Sequence, residues 1–196
     1  MEKQVSTTTG IRLTPTEYLR LEGLAETKSE YFDGEMLPMP GVTREHNLIN
    51  GNLVFELKNQ LAGRPCEIYF CDMKVKVPAT GSYAYPDVAV LCGEPAFEQG
   101  QIGVLLNPQV LIEVLSESTE RHDRGLKLRH YRSIASLREY VLVSQAKCRL
   151  ERYARSAAEE WTYSDVTDPQ GAVELTSIAC RLSVARVYDR ILFKGG

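Results

Sequence analysis

Between Val110 and Leu115 the chain reads Val-Leu-Ile-Glu-Val-Leu, an apolar run broken by one carboxylate. Successive side chains of a strand point to opposite faces, so a strand apolar on both faces belongs in the middle of a sheet covered on both sides. This run therefore demands a layered α/β arrangement and excludes a sheet with one face in water. Glu113 is the anomaly in it. An ionised carboxylate among strand-core residues is costly to desolvate without a partner or a cation. One reading is an edge-facing Glu paired with a nearby Arg or Lys; the other is a ligand in a site.

The remaining elements fit the same architecture. Thr14-Pro15 opens a short helix, with Thr as cap and Pro where a missing N–H costs nothing. Tyr31 to Leu37 reads as a hairpin turning on Asp33-Gly34, a pair that supplies positive φ. Leu48, Ile49, Leu53, Leu57 and Leu61 recur at helical spacing and predict an amphipathic helix over 43–61, capped by Thr43. Strands are expected at Glu67–Cys71, Lys74–Val77, Asp87–Leu91, Tyr140–Val143, Arg149–Tyr153 and Trp161–Tyr163. Helices are expected at about Asp123–Ile134 and, closing the chain, Val184–Leu192. The order predicts a mixed central β-sheet flanked by helices rather than a regular βαβ winding. Residues 1–10 read as a flexible arm, and 11–196 as one domain.

Composition adds exclusions. The net charge of −3 provides no global attraction for nucleic acid or anionic membrane, so a nucleic-acid enzyme of this composition must concentrate positive charge locally or recruit cations. The five cysteines form no CxxC pair and predict free thiols in a reducing compartment. There is no run of the ~20 apolar residues that a membrane helix needs, and the polar N-terminus lacks an apolar signal core; the expected location is cytoplasmic.

A second carboxylate stands at the head of another apolar strand, in Tyr85-Pro86-Asp87-Val88-Ala89-Val90. If this strand pairs with the one carrying Glu113, both carboxylates can face one point and form a hard oxygen site suited to Mg²⁺ or Mn²⁺. Downstream, Asp123, Lys127 and Tyr131 recur every four residues on one helical face. They read either as a solvated Asp–Lys pair or as a lysine reaching back to the carboxylates. His46 reads as a surface or capping residue of the helix over 43–61, or as a ligand or proton shuttle. Tyr18, Tyr31, Tyr69, Tyr83 and Tyr85 could stack on bases, although scattered tyrosines are more often half-buried packing.

Pro86-Asp87 followed by Glu113-Val114-Leu115 resembles the PD-(D/E)XK nuclease signature, with Leu115 where a lysine belongs. Four segments resemble the Uma-type family of restriction endonucleases, long classed as a domain of unknown function. They are Glu30 to Glu35, the helix start with His46, Tyr85 to Val88, and Glu113 through Ser118-Thr119, Asp123, Lys127 and Tyr131 to Glu139-Tyr140. The resemblance spans roughly residues 11–155. It implies a restriction-endonuclease-like core whose catalytic lysine has moved to the following helix, at Lys127, with His46 and Glu35 or Glu30 as accessory residues. Glu117, Val141 and Ser144 depart from the family's usual Pro, Trp and Asp.

The resulting expectation is a Mg²⁺- or Mn²⁺-dependent endonuclease hydrolysing DNA. Asp87, Glu113 and the backbone carbonyl of Val114 would hold metal, and Lys127 would stabilise charge on the phosphate. A homodimer is expected, since cutting two strands with one site per chain favours two-fold symmetry. The competing expectation is a non-catalytic binding or scaffold protein that keeps the nuclease fold, a reading favoured by the acidic charge and by Leu115.

Overall fold

A computed structural model describes residues 12–193, so the arm expected at 1–10 lies outside them. Thirteen strands run along these residues. They are β1 (Ser29–Phe32), β2 (Glu35–Pro38), β3 (Cys66–Phe70), β4 (Lys74–Val77), β5 (Ser82–Ala84), β6 (Val88–Cys92), β7 (Val104–Leu105), β8 (Val110–Leu115), β9 (Glu139–Ser144), β10 (Leu150–Arg155), β11 (Trp161–Val166), β12 (Ala172–Leu175) and β13 (Cys180–Ser183). The helices are α1 (Pro15–Glu22), α2 (Arg44–Leu61), α3 (120–131) and the single turn α4 (Val184–Val187).

The main sheet has the order β11-β10-β9-β8-β6-β3, with β8 and β9 parallel and the other pairs antiparallel. Its central position explains why β8 is buried at every residue. Side-chain alternation then assigns the faces. Ile112 and Val114 pack with Ile49, Leu53, Leu57 and Leu61 of α2, whereas Leu111 and Leu115 pack with Tyr131, Tyr140 and the second sheet. Full burial of each α2 leucine or isoleucine is worth about 1.5–3 kcal/mol, which makes this stripe the main anchor of the helix. Glu113 shares the parity of Leu111 and Leu115 and so faces α3.

The second sheet, β2-β1-β5-β4-β7, closes that side. Its β1–β2 hairpin turns on Asp33 and Gly34, both at positive φ (50° and 89°). A Cβ at Gly34 would also stand 2.9 Å from that of Arg12, so the turn needs this glycine twice over. Tyr18, Tyr31 and Tyr83 stack together between α1 and this sheet. Three of the tyrosines considered for base stacking are therefore core.

Several boundaries differ from expectation. The closing helix is one turn, Val184–Val187, rather than a helix to Leu192. The β12–β13 hairpin precedes it and covers α2, so the segment is held by pairing rather than by helical periodicity. α3 ends at Tyr131, short of Ile134, and contains a π-helical turn over Asp123–Lys127. The expectation of five free thiols is also corrected. Cys66 and Cys92 are directly opposite in the β3–β6 register and form a disulfide, leaving Cys71, Cys148 and Cys180 free. The two lie 26 residues apart, so only strand register brings them together. Among the described residues, no helix is long and apolar enough to cross a membrane.

Candidate functional site

Antiparallel pairing sets Val88 opposite Ile112, so the position before β6 brings Asp87 alongside Glu113. The Asp87 carboxylate is held at both oxygens. Oδ2 accepts the Val114 N–H at 2.7 Å, and Oδ1 lies 3.2 Å from His46 Nε2. His46 sits in the first turn of α2 and is buried, which overturns its reading as a surface or capping residue. The capping is done by Thr43, whose hydroxyl accepts the His46 N–H.

Lys127 reaches the same face from α3. It stands about two turns into the helix, because the chain already turns helically at Glu120, ahead of the start expected at Asp123. The π-helical turn adds a residue to the ladder there, an irregularity that often accompanies sites. The Lys127 ammonium lies 3.0 Å from Glu113 Oε1, 2.9 Å from Glu30 Oε1 and 3.2 Å from Asp123 Oδ1. Tyr131 donates to Glu113 Oε1 at 3.0 Å. Both bonds to Glu113 fall on Oε1, which leaves Oε2 without a hydrogen bond among the described residues. Glu30 is fixed in turn by the Tyr85 N–H at 2.9 Å, with His122 Nε2 at 3.5 Å from its second oxygen. The Asp123–Lys127 pair is therefore buried (2% and 5% exposed), not the solvated pair that its spacing also allowed.

Three carboxylates (Glu30, Glu113, Asp123) thus meet the one lysine, and a fourth, Asp87, stands beside Glu113. Burial pushes the Glu113 carboxyl well above its ordinary range; the Lys127 ammonium opposes this, and the neighbouring acids add to it. Asp123 is raised for the same reason. For Glu30 burial is outweighed by Lys127 and by the hydrogen bonds it accepts, which hold it low. Burial alone would lower Lys127, but Glu113, Glu30 and Asp123 together raise it, so the ammonium stays charged. The cluster forms the floor of a cleft of about 870 Å³, walled by the 38–43 loop on one side and the 116–119 turn on the other.

Of the accessory positions, Glu30 and His46 join the cluster. Glu35 does not: it is exposed on β2, where strand alternation and the hairpin turn carry it away. Sequence reasoning does not assign His122 to the site. It lies 92 residues from its partner Glu30, and no local pattern connects them. Asp123 and Tyr131 stand out in the sequence only as a shared helical face, which is the signal that could have found them. Ser144 stands where the family often has Asp; its hydroxyl accepts the N–H groups of Ala146 and Lys147 and shapes the turn beside the cleft.

A mixed sheet flanked by helices, with paired carboxylates at the end of two central strands and a lysine returning from the next helix, defines a protein of the restriction-endonuclease-like class. The chain belongs to the Uma2 family, described as putative restriction endonucleases, whose model matches residues 15–185. Two proteins of Synechocystis sp., both described as uncharacterized, are similar to it. One is 35% identical over 164 residues (84% of this chain, 93% of the other), and the second is 34% identical over 182 residues (93% and 94%). A crystal structure of a putative nuclease belonging to DUF820, from Anabaena variabilis, matches with a TM-score of 0.77. It is 19% identical and covers 92% of this chain and 99% of that one, a likeness of fold.

Proposed function

We propose that this chain is a divalent-metal-dependent nuclease that hydrolyses phosphodiester bonds in DNA. The observation that supports it best is the convergence of Asp87, Glu113 and Lys127, from three separate elements, on the floor of one open cleft. Enzymes of the restriction-endonuclease class generally use divalent metal ions, and the donor set suits one. Among the described residues no three or more His, Cys, Asp or Glu side chains form a ready-made cage. Mg²⁺, however, binds through one or two carboxylates plus waters and substrate phosphates rather than through all-protein cages. Asp87 and Glu113 supply those two carboxylates, and the surplus of buried negative charge around Lys127 is what a cation would relieve. The Val114 carbonyl remains the third candidate ligand.

When bound, such an ion polarises the scissile phosphate and lowers the pKa of an attacking water. The protein's own groups do the rest. His46 and the Val114 N–H fix the Asp87 carboxylate. Tyr131 and Lys127 hold Glu113 by Oε1. Lys127, kept charged by its three acids, presents a compact positive group to the charge that develops on the phosphate.

Single-turnover cleavage of plasmid DNA and of single-stranded DNA with Mn²⁺ tests this reading. Lys127→Ala should slow cleavage by ~10²-fold or more, with Lys127→Arg rescuing poorly, because a planar fork does not replace a point charge. Mn²⁺ titration by calorimetry should show weakened binding in Asp87→Asn. Wild-type protein that cuts no faster than Lys127→Ala, or binding unchanged in Asp87→Asn, overturns the assignment. Failure of the wild type to cut would favour the alternative, a non-catalytic protein that retains the fold.

A further inference from the structure

We infer that the cleft takes an unpaired strand of nucleic acid rather than an intact double helix, with bases against the 38–42 wall, the scissile phosphate at the floor and the flanking phosphates along the rim. The inference rests on the nuclease reading and names the substrate class of that same site. It starts from how charge is distributed. Among the described residues that line the cleft, Lys127 is the only lysine and there is no arginine, and the Lys127 ammonium is taken up by three carboxylates. Duplex DNA carries about one negative charge per 1.7 Å of axis, and duplex binders meet it with Lys and Arg contacts to phosphate. An acidic floor instead repels every phosphate that is not held by a cation.

The wall supplies a different kind of contact. Pro38, Met39, Pro40 and Val42 form an apolar flank, and Val42 is 63% exposed although it belongs to no core cluster. Apolar groups of this kind pack against base faces, which only an unpaired or extruded nucleotide can present. A cleft of about 870 Å³ is large enough for a short stretch of one strand.

The rim completes the pattern. Arg44 follows Thr43, Arg121 precedes His122 and Lys147 follows Ala146. Each of these cations is exposed beside a residue lining the cleft, Arg44 and Lys147 near each other through the Thr43–Gln145 hydrogen bond and Arg121 beside His122. Arg44 touches only its neighbour Glu45, at 3.4 Å, and neither Arg121 nor Lys147 makes an ion pair among the described residues. Cations along the path of the backbone beside a surface that takes the bases is how sequence-tolerant single-strand binders are built.

Binding is measured by fluorescence anisotropy in Ca²⁺ buffer. The probes are a labelled single-stranded oligonucleotide, the matching duplex and the same duplex with an unpaired bulge. The single strand and the bulge should bind at least ~10-fold more tightly than the intact duplex. Val42→Ser and Met39→Ser should erase most of that preference. Arg44→Gln and Lys147→Gln should weaken all three probes, each lowering the slope of log affinity against log salt by about 0.7 for the single strand. Val42, Arg44 and Lys147 are exposed, so these variants should fold, which a thermal melt verifies. A duplex bound as tightly as the bulge, a preference unaltered by both wall variants, or no binding of any probe overturns the inference. A protein that prefers the single strand yet cuts nothing with Mn²⁺ fails the nuclease reading alone.

Discussion

Glu113 and Glu30 share one lysine, yet they should respond to mutation in opposite ways. Glu113 is held above its ordinary value by burial and by neighbouring acids, so its charge works against folding. Glu113→Gln keeps an oxygen for Tyr131 and Lys127 while removing that charge, and Lys127 retains Glu30 and Asp123. The metal-free variant should therefore be as stable as wild type, or more stable by about 1 kcal/mol, in thermal melts at pH 7. A marked loss would identify Glu113 as one half of a structural ion pair. Glu30 is held low, and its carboxylate satisfies the Tyr85 N–H as well as Lys127. Glu30→Ala removes partners from buried donors and should cost about 3 kcal/mol. Equal melting of the two variants would show that this division of roles is wrong.

Among the elements, α3 carries the most consequence for the site, because its π-helical turn sets where Lys127 points. Gly125 lies in that turn, exposed, at ordinary helical φ, and a Cβ added to it would meet no atom within 4 Å. Gly125→Ala should then raise stability by about 0.5–1 kcal/mol, as Ala does over Gly in helices, and leave cleavage unchanged. Deleting Gly125 should behave differently. One residue is roughly 100° of helix rotation, enough to take Lys127 off Glu113 and abolish cleavage while circular dichroism still reports a folded chain. Full activity after the deletion would mean that the wide turn has no part in placing the lysine.

For the whole molecule, acid should weaken the fold from more than one side. Glu30 ties the second sheet to α3 through Lys127, and Glu151 ties β10 to α3 through Arg124. Both carboxyls sit below their ordinary value of 4.5 in the folded chain: burial opposes this in each, but Lys127 outweighs it for Glu30, and Arg124 followed by Arg149 for Glu151. A depressed carboxyl contributes stability that is present above its unfolded value and lost as pH falls through the folded one. Glu113, raised, has the opposite sign and loses stability as pH rises above 4.5. Wild type should melt lower below about pH 4.5, and Glu113→Gln should remove part of any decline on the neutral side. A melting temperature flat from pH 6 to pH 3 would contradict both linkages. Assembly belongs to this scale too. A homodimer is the expectation for a chain that cuts both strands of a duplex, whereas a cleft that takes one strand requires no second copy; sedimentation with and without the bulged duplex separates the two.

The sequence by itself determined the layers and singled out Glu113 within them. A strand apolar on both faces can be stable only at the centre of a covered sheet, and a carboxylate embedded in it must have a cause, so Val110–Leu115 marks both the core and Glu113. Local periodicity likewise fixed α2 and the Asp33-Gly34 turn, because helical spacing and positive φ are properties of neighbouring residues. What is set by distant parts of the chain was decided only by tertiary structure. Strand register joined Cys66 to Cys92, which composition assigns to free thiols. Packing of α2 across the sheet turned His46 from a surface residue into the partner of Asp87. The hairpin separated Glu30 from Glu35, burying one on Lys127 and leaving the other exposed, though both stand in the same short motif. Burial also decided between the two readings of Asp123 and Lys127: the four-residue spacing is the same in water and in a site, and only the covering layer, by excluding water, makes it a charged cluster.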